Sequence, residues 1–126
     1  MKSDHTCEFL CATCGLLVAG PLVPLGDESL LCREDGRDYL PTGYFAISDG
    51  EYYTGTEGQV LLNLTDLRNT KRHPDPHRLN GCCGLDGCNG SNRVCMNGHE
   101  IGTERSDCWL AHAIHIKPTQ VVQRDV

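Results

Sequence analysis

The chain has 126 residues, a formal net charge of −6 and 6% aromatic residues, with 14 glycines and nine cysteines. This length predicts one domain with a thin apolar core, and small cores are often stabilised by a bound metal or by disulfides. The acidic charge argues against nucleic acid as a partner, because that affinity depends on cationic side chains that neutralise phosphates. We expect a protein partner.

The N-terminal segment is not typical of a secretory signal peptide. Asp4 and Glu8 stand where a signal peptide carries cationic residues, and no apolar run is long enough to span a bilayer. We therefore expect a cytoplasmic protein that does not associate with membranes. In that reducing compartment cysteines stay free or bind metal, and an odd number of cysteines excludes a complete set of internal disulfides.

Strand signals dominate the chain, and no segment shows a sustained helical period. The apolar stretch 16–25 is interrupted by Pro21 and Pro24, which predicts an edge strand or a hairpin. Further short strands are predicted at residues 44–47, 59–64, 100–103 and 109–116. One helical turn is predicted at 65–69. The cysteine-free stretch from about 40 to 80 is interpreted as a β insertion.

The motif "CATCG", residues 11–15, is a Cys-x2-Cys-Gly unit. Two thiolates three residues apart on a tight turn can chelate one ion, and the glycine allows a backbone conformation that other residues resist. An apolar strand follows directly, as expected when such a turn opens a hairpin. Cys11 and Cys14 are therefore candidate ligands of a zinc ion.

The stretch "VCMNGHEIGTE" is a variant of the same turn in which the second cysteine is missing. Cys95 is the candidate ligand, and Asn97 stands where a second cysteine is expected. Either His99 replaces that cysteine as a nitrogen ligand, or a cysteine of the preceding "GCCGLDGC", such as Cys88, completes the site. The spacing leaves both alternatives open.

The C-terminal cluster as a whole offers five candidate ligands: Cys82, Cys83, Cys88, Cys95 and Cys108. Adjacent cysteines usually cannot both bind one tetrahedral ion without strain. We therefore expect Cys82 and Cys83 to face different ways, into two metal sites or into one site and the core. Together the chain holds enough Cys and His for one or two zinc ions.

No complete catalytic signature is present. A zinc hydrolase or deaminase needs an open coordination position, a nearby Glu and a recognisable spacing of ligands, and neither a His-Glu-x2-His nor a His-x-Glu with a later Pro-Cys-x2-Cys occurs. We expect a non-enzymatic protein.

Three segments resemble a family of small, uncharacterised, cysteine-rich bacterial proteins of zinc-ribbon type. They are "CATCG", "GCCGLDGCNGSNRVC" at 81–95 and "TERSDCW" at 103–109. The resemblance implies no activity, but it implies a shared set of metal ligands: Cys11, Cys14, Cys82, Cys83, Cys95 and Cys108. Cys7, Cys32 and Cys88 are peculiar to this chain.

The sequence as a whole predicts a mostly β, zinc-ribbon-like single domain, with paired hairpins held together by zinc and a β insertion between them. The zinc is expected to be structural, and the protein to act as an interaction module. The alternatives are a metal-handling or thiol redox-sensing protein and a small zinc-dependent enzyme.

Overall fold

The structure is a computed structural model that describes residues 6–126. These residues form one nine-stranded mixed sheet and three short 3₁₀ turns, at Glu28–Leu30, Leu64–Asp66 and Pro76–Arg78. In chain order the strands are β1 (Cys7–Cys11), β2 (Leu17–Pro24), β3 (Tyr44–Ile47), β4 (Val60–Leu62), β5 (Thr70–Arg72), β6 (Arg93–Cys95), β7 (Glu100–Arg105), β8 (Ala113–Ile116) and β9 (Val121–Asp125). The prediction of a mostly β protein is confirmed.

The sheet order is β5-β6-β7-β8-β4-β3-β2-β1-β9, and every pair is antiparallel except the parallel pair of β2 and β3. Two hairpins have the shortest connections, of five residues or fewer: β1 with β2 and β6 with β7. Each hairpin turn carries one of the two cysteine motifs. In the sheet order six steps separate β1 from β6, so the two motifs start far apart along the sheet.

The sheet curves until these two hairpins meet. Six steps at about 4.8 Å would place β1 and β6 roughly 29 Å apart in a flat sheet. In the folded chain the Sγ atoms of Cys11 and Cys95, at the ends of these strands, lie within 4.8 Å of each other. The segment between β4 and β5 bridges the gap, since Arg68 N–H donates to the Val18 carbonyl and Met96 N–H to the Asn69 carbonyl.

The main core lies on the concave side of this curved sheet. It is formed by buried apolar side chains from eight of the nine strands, all except β5, and they include Phe9, Val18, Leu62, Ile101 and Ile114. Cys11 and Cys95 belong to the same cluster, so the two cysteine motifs border the core directly. A second buried cluster, which includes Tyr39, Tyr53 and Leu61, lies elsewhere on the sheet.

Of the two alternatives predicted for residues 16–25, the hairpin is present, since β2 pairs antiparallel with β1 across a short turn. The edge-strand alternative was wrong, because β2 lies between β1 and β3. Val23 and Leu25 donate their N–H groups to the carbonyls of Gly43 and Phe45, and Pro24 lies between them. Its missing N–H is on the other side of the strand, where the pairing with β1 has already ended at Leu22. A proline is therefore tolerated inside this sheet without loss of a ladder bond.

Other local predictions were close but incomplete. The helical turn predicted at 65–69 is a 3₁₀ turn that spans Leu64–Asp66 and is capped by Asn63. The strand predicted at 44–47 is present with the predicted bounds, and the strands predicted at 59–64, 100–103 and 109–116 are present with shifted ends. Strands β1, β5, β6 and β9 had not been predicted as strands. In residues 6–126 no helix is long and apolar enough to cross a membrane.

Candidate metal centre

The turn between β1 and β2 presents Cys11 and Cys14 on one side. Gly15 N–H donates to the Cys11 carbonyl at 2.8 Å, and Cys11 N–H donates to the Leu16 carbonyl at 2.8 Å. Gly15 has φ +78°, a conformation that side chains resist, so the glycine of the motif is required by the turn itself. The turn confirms the predicted hairpin after "CATCG".

The turn between β6 and β7 repeats this arrangement with one residue fewer. Gly98 N–H donates to the Cys95 carbonyl and Cys95 N–H donates to the His99 carbonyl, both at 2.8 Å. Gly98 has φ +90°. Because this turn is shorter, His99 is the residue that brings a second ligand atom beside Cys95.

The two turns together place four ligand atoms within 4.8 Å of one another: the sulfurs of Cys11, Cys14 and Cys95 and a ring nitrogen of His99. The Sγ atoms of Cys14 and Cys95 are 3.8 Å apart, and His99 Nδ1 is 3.5 Å from Cys95 Sγ. Cys11 and Cys95 are buried, His99 is half-buried and Cys14 is exposed. We call these four residues the hairpin centre.

These distances fit a tetrahedral zinc ion. Zn–S bonds of about 2.3 Å at tetrahedral angles place two sulfurs about 3.8 Å apart, and a Zn–N bond of about 2.0–2.1 Å gives an S–N separation of about 3.5 Å. Both values agree with the Cys14–Cys95 and Cys95–His99 separations in the structure. Three sulfurs and one imidazole are also a common ligand set of structural zinc.

The surroundings of the hairpin centre favour the thiolate of Cys14, which is the form that binds a metal ion. The side-chain amide of Asn97 donates to Cys14 Sγ at 3.3 Å, and this hydrogen bond is the main cause that lowers the pKa of Cys14 to about 6. Burial raises the pKa of the Cys11 thiol. Asn97, at the position where a second cysteine was expected, thus acts as a hydrogen-bond donor to a candidate ligand.

A second cluster contains Cys82, Cys83 and Cys108, whose sulfurs also lie within 4.8 Å of one another. We call it the tri-thiol cluster. All three residues are exposed, and the Sγ atoms of Cys83 and Cys108 are only 2.8 Å apart. The expectation that Cys82 and Cys83 face different ways was wrong, because the loop turns both side chains toward Cys108. The neighbouring thiols, Cys108 first, raise the pKa of Cys83 to about 12.

Asp107 is the residue that shapes the tri-thiol cluster. Its buried carboxylate accepts the backbone N–H groups of Cys82, Cys83 and Cys108 at 3.0, 2.9 and 2.8 Å. The indole N–H of Trp109 donates to the same carboxylate at 2.8 Å. These donors, those of Cys83 and Cys82 first, lower the pKa of Asp107. Nothing in the sequence indicated this role, since an Asp before a cysteine reads as an ordinary surface residue.

The structure therefore brings the six predicted ligands together in two groups. Cys11, Cys14 and Cys95 share the hairpin centre, and the other three form the tri-thiol cluster. His99 joins the first group, whereas Cys88 joins neither. Within the part of the chain that the structure describes, Cys7 and Cys32 also lie outside both groups.

The fold and these two groups define a small, mostly β, cysteine-rich protein whose side chains could hold metal ions. Comparison with family models, with curated proteins and with solved structures finds no match to this chain. The argument for function accordingly depends on the geometry of the two groups.

Proposed function

We propose that the chain is a non-enzymatic protein-interaction module whose fold is held by one zinc ion in the hairpin centre. The observation that carries this proposal is the match between the ligand separations and a tetrahedral zinc site. All four coordination positions are then filled by side chains. A closed site of this kind leaves no bound water to activate, so the ion acts structurally.

The position of the hairpin centre supports a structural role. It joins β1–β2 to β6–β7, which are far apart in the sheet order, and two of its ligands belong to the main core. Zinc bound there opposes the opening of the curved sheet. Sites of this type contribute on the order of 10 kcal/mol to folding, comparable with the whole stability of a small domain.

A protein partner is supported by the surface. The net charge of −6 disfavours phosphate-rich partners, and Trp109 is 57% exposed although its indole N–H is anchored by Asp107. Aromatic side chains that are exposed but fixed in orientation by a hydrogen bond are frequent anchors of protein interfaces. The enzyme alternative gains no support from the closed geometry of the hairpin centre.

The structural role is tested by removing the metal. We expect the reduced, zinc-loaded protein to lose most of its thermal stability after exhaustive treatment with EDTA, and to recover it with added zinc. Circular dichroism follows the unfolding, and X-ray absorption at the zinc edge counts the ligands, with three sulfurs and one nitrogen expected for the tightly held ion. Cys95→Ser should lose this ion, whereas Cys88→Ser, outside both clusters, should retain it.

Unchanged melting of the metal-free protein would refute the structural role. The partner role has a separate test, which is affinity capture with the zinc-loaded protein and with Trp109→Ala. A protein that the wild type captures and Trp109→Ala does not capture supports an interaction surface at Trp109. If both proteins capture the same partner equally, the partner binds elsewhere on the surface. If neither captures a partner, the interaction role is refuted.

Metal handling or thiol sensing is a second candidate function, and one observation favours it. Three of the nine cysteines form the exposed tri-thiol cluster, which a purely structural zinc in the hairpin centre does not need.

A further inference from the structure

The tri-thiol cluster has the construction of a preformed site. Its loop, residues 81–85, is attached to residues 106–108 by several bonds besides those of Asp107. Leu85 N–H donates to Ser106 Oγ at 3.1 Å, and Ser106 N–H donates to the Leu85 carbonyl at 2.7 Å. Ser106 Oγ in turn donates to the buried Glu104 carboxylate at 2.6 Å. The backbone that carries the three sulfurs is therefore held by hydrogen bonds within the protein itself.

The donor set selects the kind of ion. Three thiolates are soft ligands, which bind Zn²⁺ and Cu⁺ strongly and do not suit Mg²⁺ or Ca²⁺. In residues 6–126 no fourth Cys, His, Asp or Glu atom joins the three sulfurs at the same mutual spacing. An ion bound here keeps one position that faces solvent, in contrast to the four-ligand hairpin centre.

Binding requires a small local movement. The Sγ atoms of Cys83 and Cys108 lie 2.8 Å apart, whereas two sulfurs on one zinc ion lie about 3.8 Å apart. Both side chains are exposed, so rotation about their Cα–Cβ bonds can widen the gap without disturbing the core. The ion also relieves the crowding of three groups that repel one another once ionised.

We propose that Cys82, Cys83 and Cys108 form a second metal site, open to solvent, which binds one exchangeable thiophilic cation such as zinc. This site would give the protein the metal-handling role named above as the second candidate function. An open position admits an incoming ligand before the protein sulfurs leave, so the ion at the tri-thiol site exchanges faster than the ion at the hairpin centre. The proposal is independent of whether the hairpin centre holds zinc.

The test is zinc release to a chelating dye from reduced protein loaded with zinc. Wild-type protein should hold two zinc ions and release them in two phases. Cys108→Ser and Cys83→Ser should each lose the faster-released ion and keep the slower one. Cys88→Ser is the matched control, an exposed cysteine outside both clusters, and should release both ions as wild type does.

Circular dichroism checks that each variant is folded, and the use of two variants guards against one that fails to fold. A single zinc ion in the wild type, unchanged in Cys108→Ser, would overturn the proposal. So would a Cys83–Cys108 disulfide, detected by mass spectrometry, that persists in the reduced and zinc-treated protein. If the wild type instead holds a single zinc ion and Cys108→Ser loses it, the result counts against zinc in the hairpin centre and supports the tri-thiol site.

Discussion

His115 is a buried imidazole on β8, and within residues 6–126 neither of its ring nitrogens has a hydrogen-bond partner. Its ring packs edge-on against Tyr53, with centroids 4.3 Å apart, and Arg105 is the charged group that acts on it. Burial is the main cause that lowers the pKa of His115 to about 3, and Arg105 adds to it. The folded chain therefore keeps this histidine neutral at a cost, since a buried polar group without partners is unfavourable.

Because the pKa of His115 is lower in the folded chain than its ordinary value near 6.5, the unfolded chain binds a proton that the folded chain does not. The free energy of unfolding is therefore unaffected by this titration above about pH 6.5 and declines as the pH falls toward 3, by up to about 1.4 kcal/mol per unit. His115→Phe should reduce this acid sensitivity and leave the free energy of unfolding at pH 7 unchanged or about 1 kcal/mol higher. Urea unfolding of zinc-loaded protein at about pH 7 and about pH 5 measures both effects.

The matched control is His77→Gln, since the His77 side chain is 90% exposed. It should keep the acid sensitivity of wild type. The same decline with pH in His115→Phe and in wild type would show that acid acts through other groups.

At the scale of elements, short turns decide where the cysteines point. The β1–β2 and β6–β7 turns share a pattern of glycine and backbone bonds, which the sequence motifs allowed us to predict. The loop 81–85 is different, because it depends on contacts with a segment more than 20 residues away. Gly84 has no space for a side chain: a Cβ there would lie 2.1 Å from the backbone carbonyl oxygen of Ser106.

Gly84→Ala should separate loop 81–85 from residues 106–108, because the clash is with backbone and cannot be relieved by a rotamer change. We expect loss of the faster-released zinc ion with the slower one retained. Gly26→Ala is the matched control, since no atom of the described residues beyond its chain neighbours lies within 4 Å of its added Cβ and its φ is ordinary. Two-phase release in both variants would contradict this account of the loop.

At the scale of the whole molecule, the proposed zinc site predicts that curvature of the sheet and binding of metal are coupled. The hairpins approach only if the sheet bends, and the bend encloses the main core. Phe9 on β1 is 1% exposed and packs edge-to-face on Phe45 of β3, with ring centroids 5.2 Å apart. Such contacts hold β1 in the position that brings Cys11 to the hairpin centre.

Phe9→Ala should cost about 3–5 kcal/mol of folding free energy, by loss of buried area and formation of a cavity. Since folding and zinc binding are linked, more zinc should then be needed to fold the chain, although no ligand has changed. A zinc titration followed by circular dichroism measures this shift. Leu30→Ala, at a side chain 50% exposed, should leave the zinc requirement unchanged, and an unchanged requirement in Phe9→Ala as well would refute the coupling.

The sequence by itself determined the mostly β class, the two glycine-containing turns, and Cys11, Cys14 and Cys95 as residues on those turns. These features are local, since a turn is specified by residues that are neighbours along the chain. Only the tertiary structure decided that His99 rather than Cys88 lies beside Cys95, and that Cys82, Cys83 and Cys108 form a group apart. Which distant turns meet depends on the curvature of a nine-stranded sheet, and curvature arises from packing across the whole core rather than from the spacing of cysteines.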